Sequence, residues 1–491
     1  MMKRVLIILG MGFCIAQECH AQNDSRLESA FDEWRRAIHE DFENFRSQIM
    51  ADYADFVENP WKEFEEQKPQ PLPKDDKTPP VVLPKDDKIV APVAPKPIKI
   101  DEIIEPLPVE PQPQPIEPIK EVPVVVESYI ECLFYGTRVK VRFDEKRKIN
   151  LEGVGEVAIA KALRELANEC NDNTIIDCLN LRKKLQLCDW AYLKLLEQLS
   201  EAAYGVKCNE ATLFMAYLYM MSGYRMRLAS DGSNIYMLYA SRHEIFDVQY
   251  FNVDGERFYG TKTLPVKLYI CQAKFPNENS LSLIVDKEPL FEANTTQTVS
   301  HQSSSDKQME VNVAANKNRL DFYASYPASR IGDNVVSRWA MYANMPMPKD
   351  ITNQVYESLR DANKGLSQIE TVSHILNWIQ TGFVYEYDDK VWGGDRAFFP
   401  EESLYYPYCD CEDRSILFTR LVRDLVGLPC ILVYYPGHLA AAVCFNEDVP
   451  GDYIMIGNRR FVVCDPTYIN APIGETMPGM NNSSAKVVLL E

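Results

Sequence analysis

Sixteen of the chain's 31 prolines fall between Pro69 and Pro123, where the hexapeptide LPKDDK also occurs twice, at 72–77 and 83–88. Proline fixes φ near about −65° and has no N–H to donate, so such a stretch builds neither helix nor central strand. It prefers extended polyproline conformations and buries no core of its own. The segment therefore divides the chain, and residues 69–127 read as a spacer. At about 3.1 Å per residue its upper reach is on the order of 180 Å. In this reading it holds a globular part away from a surface, or from a partner gripped by what precedes it.

Ahead of the spacer lie two short regions. Residues 1–21 have the parts of an export signal: Lys3 and Arg4, an apolar run from Val5 to Ala16, then Cys19-His20-Ala21. The expected destination is periplasmic or extracellular, free or associated with the cell envelope. Phe13 and Glu18 argue against lipid anchoring at Cys14 or Cys19. The apolar run falls short of the roughly 20 residues needed to cross a bilayer, so no integral span is expected. Residues 22–68 predict one amphipathic helix, with Phe31, Trp34, Ile38, Phe42, Phe45 and Ile49 at helical spacing. Such a helix serves packing, a partner or self-association. The formal charge of −19 disfavours nucleic acid and anionic membrane surfaces as partners.

Two α+β units are expected beyond the spacer. The first, 128–290, opens with strand-like TRVKVRF and continues with helices near 155–170, 189–203 and 208–223. Strands follow near 234–240, 246–252 and 257–260, with Asp254-Gly255 as a hairpin turn. Residues 291–330, rich in Ser, Thr, Asn and Gln, read as a polar connector. The second unit, 331–491, predicts helices near 349–361 and 367–381, then one from 411 that stops at Gly427 with Pro429 beyond. Strands at 430–435, 438–445, 453–457 and 460–464 complete it. Helices followed by an antiparallel sheet define an α+β class.

The chain has 13 cysteines, of which two leave with the signal. An odd remainder fits one free reactive thiol beside pairs, or a set of reduced, buried cysteines. Cys411 opens a predicted helix, His438 a predicted strand, and Asp465 closes one. A thiol at a helix start gains from free N–H groups and the positive end of the dipole. His438 follows a Pro-Gly corner and precedes Ala440, Ala441 and Ala442, which leave room for a neighbouring helix. Asp465, ahead of Pro466, can accept from the imidazole and fix its tautomer. Nucleophile, base and orienter are thus all present.

The motifs CEDRS (411–415), GLP (427–429), PGH (436–438) and DPT (465–467) make residues 331–491 resemble the transglutaminase-like superfamily. That resemblance implies a papain-like fold, with Cys411 as nucleophile, His438 as base and Asp465 as orienter. Cys409 stands where many bacterial members have glycine, and Leu439 replaces an aromatic residue that often follows the histidine. An exported thiol enzyme acting on amide bonds of proteins or peptides follows, with hydrolysis favoured over cross-linking. The alternative is a non-catalytic envelope scaffold of the same fold. No cofactor and no metal are implied. Cys409, Cys411 and His438 lack a second Cys/His pair at ligand spacing.

One internal echo stands out. CNEATLF at 208 and CEDRSILF at 411 each start a helix that ends in glycine before a strand. The first unit is thus a candidate degenerate copy of the second, with His243 in place of a catalytic histidine and no DPT.

Overall fold

The computed structural model describes residues 52–491, except 56, 59–60, 75–76, 84–95, 107–112, 116–127, 168–171, 207, 276–277 and 333. The proposed export signal and most of the N-terminal helix lie outside the described residues. Met1–Asp55 forms one unit, described only over the helical residues 52–55. Phe56–Glu491 forms another, and the expected boundaries at 290 and 331 do not divide it. Its class is α+β. No helix among the described residues is long and apolar enough to cross a membrane.

Two six-stranded sheets dominate this unit, and they share one plan. In the first, the strands stand in the order Trp61–Glu65, Lys267–Cys271, Met226–Ser230, Ile235–Ala240, Glu256–Gly260, Tyr250–Val253. In the second the order is Ile100–Ile104, Ala485–Leu489, Cys430–Tyr435, His438–Val443, Arg459–Cys464, Tyr453–Ile456. Each sheet follows a helix, Asn209–Met221 or Cys411–Val426, and is then filled by five strands in the same sequence. Each is finished by an edge strand drawn from before residue 105. That edge strand is antiparallel in the first sheet and parallel in the second.

The central hairpins match residue for residue. Met226 pairs with Tyr239, and Cys430 with Val443. Aligning Met226 with Cys430 therefore aligns Tyr239 with Val443 as well. Gly223 and Gly427, each at positive φ, then coincide at the turn that ends each helix.

Three expectations are corrected. Residues 61–65 are not the end of a helix but a strand paired with Lys267–Cys271. Their order WKEFE, with Trp61 and Phe64 half-buried among exposed residues, fits a sheet edge better than a helix face. The proline-rich segment is not a free spacer where it is described. Val82 bridges Ile469, Pro97 bridges Tyr453, and Ile100–Ile104 completes the second sheet. Its scattered apolar residues explain this: Ile98 and Ile104 are buried, Ile98 among Val433, Ala442, Phe461 and Val463. Prolines are tolerated there because the segment runs along edges. Finally, residues 291–330 are not a connector. They form a hairpin, Val299–Gln302 with Glu310–Val313, and the helix Lys317–Ala324. Val311, Val313 and Leu320 join the core of the second half.

That core positions the site. The helix Gln368–Gly382 is started by a Ser367–Glu370 capping box and buries Val372, Ile375, Leu376, Trp378 and Ile379. Against it lies Cys411–Val426, opened by an Asp410–Asp413 capping box and closed by left-handed Gly427. Leu417, Phe418, Leu421 and Val422 pack on Ala441, Val443 and Cys464 of the sheet. Small Ala441 allows this close approach, while Ala440 and Ala442 face the other side of the sheet, toward Ile98. Ser415 Oγ donates to Leu439 O at 2.8 Å, tying the helix to the strand that begins with His438.

Candidate active site

Cys411 is the first residue of its helix, His438 the first of its strand, and Asp465 follows the strand Arg459–Cys464. All three are buried. His438 Nε2 lies 2.8 Å from Asp465 Oδ2. The other oxygen, Oδ1, accepts from the backbone N–H groups of Thr467 and Tyr468 at 2.9 and 3.2 Å. An aspartate so engaged accepts a hydrogen bond from Nε2–H, which leaves the lone pair of the imidazole on Nδ1. Nδ1 is buried and has no hydrogen-bond partner among the described residues. Cys411 and His438 line one small cavity of about 30 Å³, together with Lys77, Glu412 and Trp339.

The supporting groups explain why Asp465 stays in place. Gln380 Nε2 donates to the carbonyls of Asp465 and Ala471 at 3.0 and 3.1 Å. Arg414, fully buried, donates to Phe383 O at 2.9 Å and to the carbonyls of Gln380 and Pro466 at 3.4 Å. Its guanidinium lies over the Tyr385 ring. Arg414, in the first turn of its helix, thus clamps three chain segments together.

The thiol is not activated by its position alone. Cys411 Sγ donates to Glu412 Oε2 at 3.1 Å. Burial, with Glu412 and Asp410 adding to it, pushes the thiol well above the ordinary cysteine range. This corrects the expectation that the helix start favours thiolate. A helix dipole contributes about 0.3–1 kcal/mol, and desolvation beside two carboxylates outweighs it.

The sequence reading missed the other half of the site. Lys77 Nζ lies 2.8 Å from Glu412 Oε1, 2.8 Å from Asp395 Oδ1 and 3.5 Å from Asp388 Oδ2, and it also pairs with Asp410. Burial opposes its charge, but Glu412, Asp410, Asp388 and Asp395 together hold it above the ordinary lysine value. Burial likewise works against ionised Glu412, yet Lys77 takes it down to about 2. Burial and Glu412 raise Asp388 to about 7 and push Asp410 well up. Asp388, Asp395 and Glu412 lie close enough to share an ion, and the ammonium of Lys77 stands among them. Nothing in a proline-rich composition marks one lysine as a site residue. The burial of Asp388 and Glu412 is equally invisible in DDK and CED.

Other candidates are placed elsewhere. Cys409 belongs to the short strand Tyr408–Cys409 paired with Val384–Tyr385, and burial raises its thiol to about 11. His243 is buried, accepts from Leu283 N–H at 2.8 Å, and is lowered to about 4 by burial and Arg242. Cys208 caps its helix by accepting from Ala211 N–H, and its own S–H donates to Tyr204 O at 3.6 Å. All ten described cysteines are free thiols. The indole N–H of Trp339, which lines the cavity, is buried and has no hydrogen-bond partner among the described residues. No family model, curated protein or solved structure matches the chain.

Proposed function

We propose that the chain is an exported thiol enzyme with a transglutaminase-like, papain-like second half, acting on amide bonds of proteins or peptides. The observation that carries this is His438 Nδ1, without a hydrogen-bond partner among the described residues, on an imidazole held through Nε2 by Asp465 and lining the same cavity as Cys411. A thiol kept protonated by burial suits a mechanism in which the base removes the proton as attack begins. His438 Nδ1 takes the proton of Cys411, and sulfur attacks the amide carbon. The oxyanion forms beside the helix N-terminus and the Trp339 indole N–H, which supplies a donor. Collapse breaks the C–N bond as His438 returns its proton to the departing amine, leaving a thioester on Cys411. Water, deprotonated by His438, then adds to the thioester. Collapse releases a carboxylic acid, and sulfur recovers its proton.

Hydrolysis is favoured over transfer to a second amine because water needs no site of its own. Incubation with a glutamine peptide and a labelled amine separates the two. Release of acid or ammonia without label is expected, and incorporation of label would reject pure hydrolysis. A second reading, a non-catalytic envelope scaffold, draws support from the cavity being filled by the chain's own Lys77. Iodoacetamide tests it: His438→Ala should slow Cys411 alkylation about tenfold or more if the pair acts as proposed. No change on that substitution would favour the scaffold.

A further inference from the structure

The proline-rich strap crosses the candidate site as a bound peptide would. Thr78 N–H donates to Gly437 O at 2.8 Å, next to His438. Further along, Leu83 N–H donates to Ile469 O at 2.9 Å and Ile469 N–H to Val81 O at 2.8 Å, beyond Asp465. The strap is thus held by backbone pairing to the segments that carry the base and its orienter. This is the way sheets capture extended peptides. At its start, Lys77 inserts an ammonium among carboxylates from three separate segments, and its side chain remains only 16% exposed.

Buried carboxylates are costly unless a cation meets them, and Asp388, Asp410 and Glu412 are buried here beside half-buried Asp395, which also pairs with Arg338 at 3.1 Å, so the cluster defines a ligand by charge. Independent of those carboxylates, His438 Nδ1 and Trp339 Nε1 are buried, lack hydrogen-bond partners among the described residues and belong to residues lining one cavity with Lys77, Asp395 and Glu412. The indole N–H awaits an acceptor, which an ammonium cannot be, and the Nδ1 lone pair awaits a donor that Lys77, paired with the carboxylates, does not supply. Lys77 also lines a second cavity of about 340 Å³, with Lys74, Tyr387, Asp388, Asp389, Lys390 and Asp395.

We propose that Asp388, Asp395, Asp410 and Glu412 form a recognition pocket for a primary ammonium beside Cys411, and that Lys77 is its tethered occupant. The substrate class is then an extended, lysine-bearing peptide, which must displace residues 77–83 to reach the thiol. This rests on the thiol-enzyme reading for its use, though the pocket itself is defined by the ion pairs.

The test uses the full chain and two probes, Nα-acetyl-lysine N-methylamide and the norleucine analogue that lacks only the ammonium. Lys77→Met keeps the aliphatic stem and vacates the charge. The variant should bind the lysine probe about tenfold or more tighter than the norleucine probe, and about tenfold tighter than the unaltered chain does. Equal binding of the two probes by Lys77→Met overturns the pocket, as does equal binding of the lysine probe by variant and unaltered chain. If Lys77→Met does not fold, Thr78→Pro, which removes the donor to Gly437, loosens the strap with Lys77 retained. The lysine probe but not the norleucine probe should then protect Cys411 from iodoacetamide, and protection by neither or by both overturns the pocket. His438→Ala in the same assay separates the two proposals. Lysine discrimination without His438-dependent reactivity rejects the enzyme and keeps the pocket. The reverse rejects the pocket alone.

Discussion

The two sheets have the same strand order and the same central hairpin and differ in the direction of the edge strand, yet among the described residues only the second carries a thiol, an imidazole and a carboxylate together. With Met226 set on Cys430, Asn234 takes the place of His438. Leu238 pairs with Gly260 as Ala442 pairs with Val463, so Lys262 takes the place of Asp465. Counting back from the paired glycines, Cys208 falls opposite Glu412 rather than Cys411. The first-half residues serve local structure instead: Asn234 donates to Asp231 at 3.1 Å, and Lys262 lies over the Tyr236 ring. Shared topology supports the reading of the first half as a degenerate copy. It also shows that a fold supplies positions, while chemistry depends on which side chains fill them.

The largest expected effect breaks the symmetry at those positions. Cys411→Ala should abolish acyl-enzyme formation, and Asp465→Asn should lower kcat by about 10⁴-fold because the imidazole loses its tautomer. Asn234→Ala and Lys262→Ala should leave turnover unchanged. Mass spectrometry of the trapped thioester and steady-state rates check both. Activity lost on substitution at Asn234 or Lys262 would mean that the first half holds a site of its own.

How much of this was legible beforehand differs between the halves of the site. Cys411, His438 and Asp465 stood out because each sits at an element boundary marked by short-range signals: a capping run, a Pro-Gly corner, an Asp-Pro. Gly427 and Pro429 fixed the helix end for the same reason. The strand Ala485–Leu489 went unread, as did the helix Asp172–Lys184, whose polar sequence shows little periodicity. Lys77 was illegible in principle. Its four partners lie more than 300 residues away, and only the folded chain brings Asp388, Asp395, Asp410 and Glu412 to it. The echo between residues 208 and 411 was read from sequence, but one residue out of register, since both runs happen to contain a cysteine near the helix start.

Equivalent core positions test whether the halves stand or fall together. Phe214 and Phe418 occupy matching places on their helices, and both are fully buried. Truncating either to alanine should cost about 3–5 kcal/mol. Because Phe56–Glu491 is one compact unit, both substitutions should lower the midpoint of a single denaturation transition. Two transitions, with each variant moving only one, would show instead that the halves unfold separately.

The smallest effect sharpens the electrostatic contrast. Burial, with Glu412 beside it, raises Asp388 from 3.8 to about 7, and burial raises Glu402 from 4.5 to about 8 despite Arg396. A carboxyl raised on folding binds its proton more tightly in the native state. Its contribution is complete below the unfolded value and is lost as pH climbs to the folded one. Glu412 runs the other way: held at about 2 chiefly by Lys77 against burial, it stabilises above 4.5 and fails only in strong acid. Between about pH 5 and about pH 8 the first pair governs, so stability to urea should decline as pH rises. Asp388→Asn should flatten part of that slope. Asp189, also raised by burial against the pull of Arg182, is the first-half comparison. If Asp189→Asn flattens the slope as much as Asp388→Asn does, the pH response belongs to buried carboxyls in both halves. If only Asp388→Asn does, it belongs to the acidic pocket around Lys77.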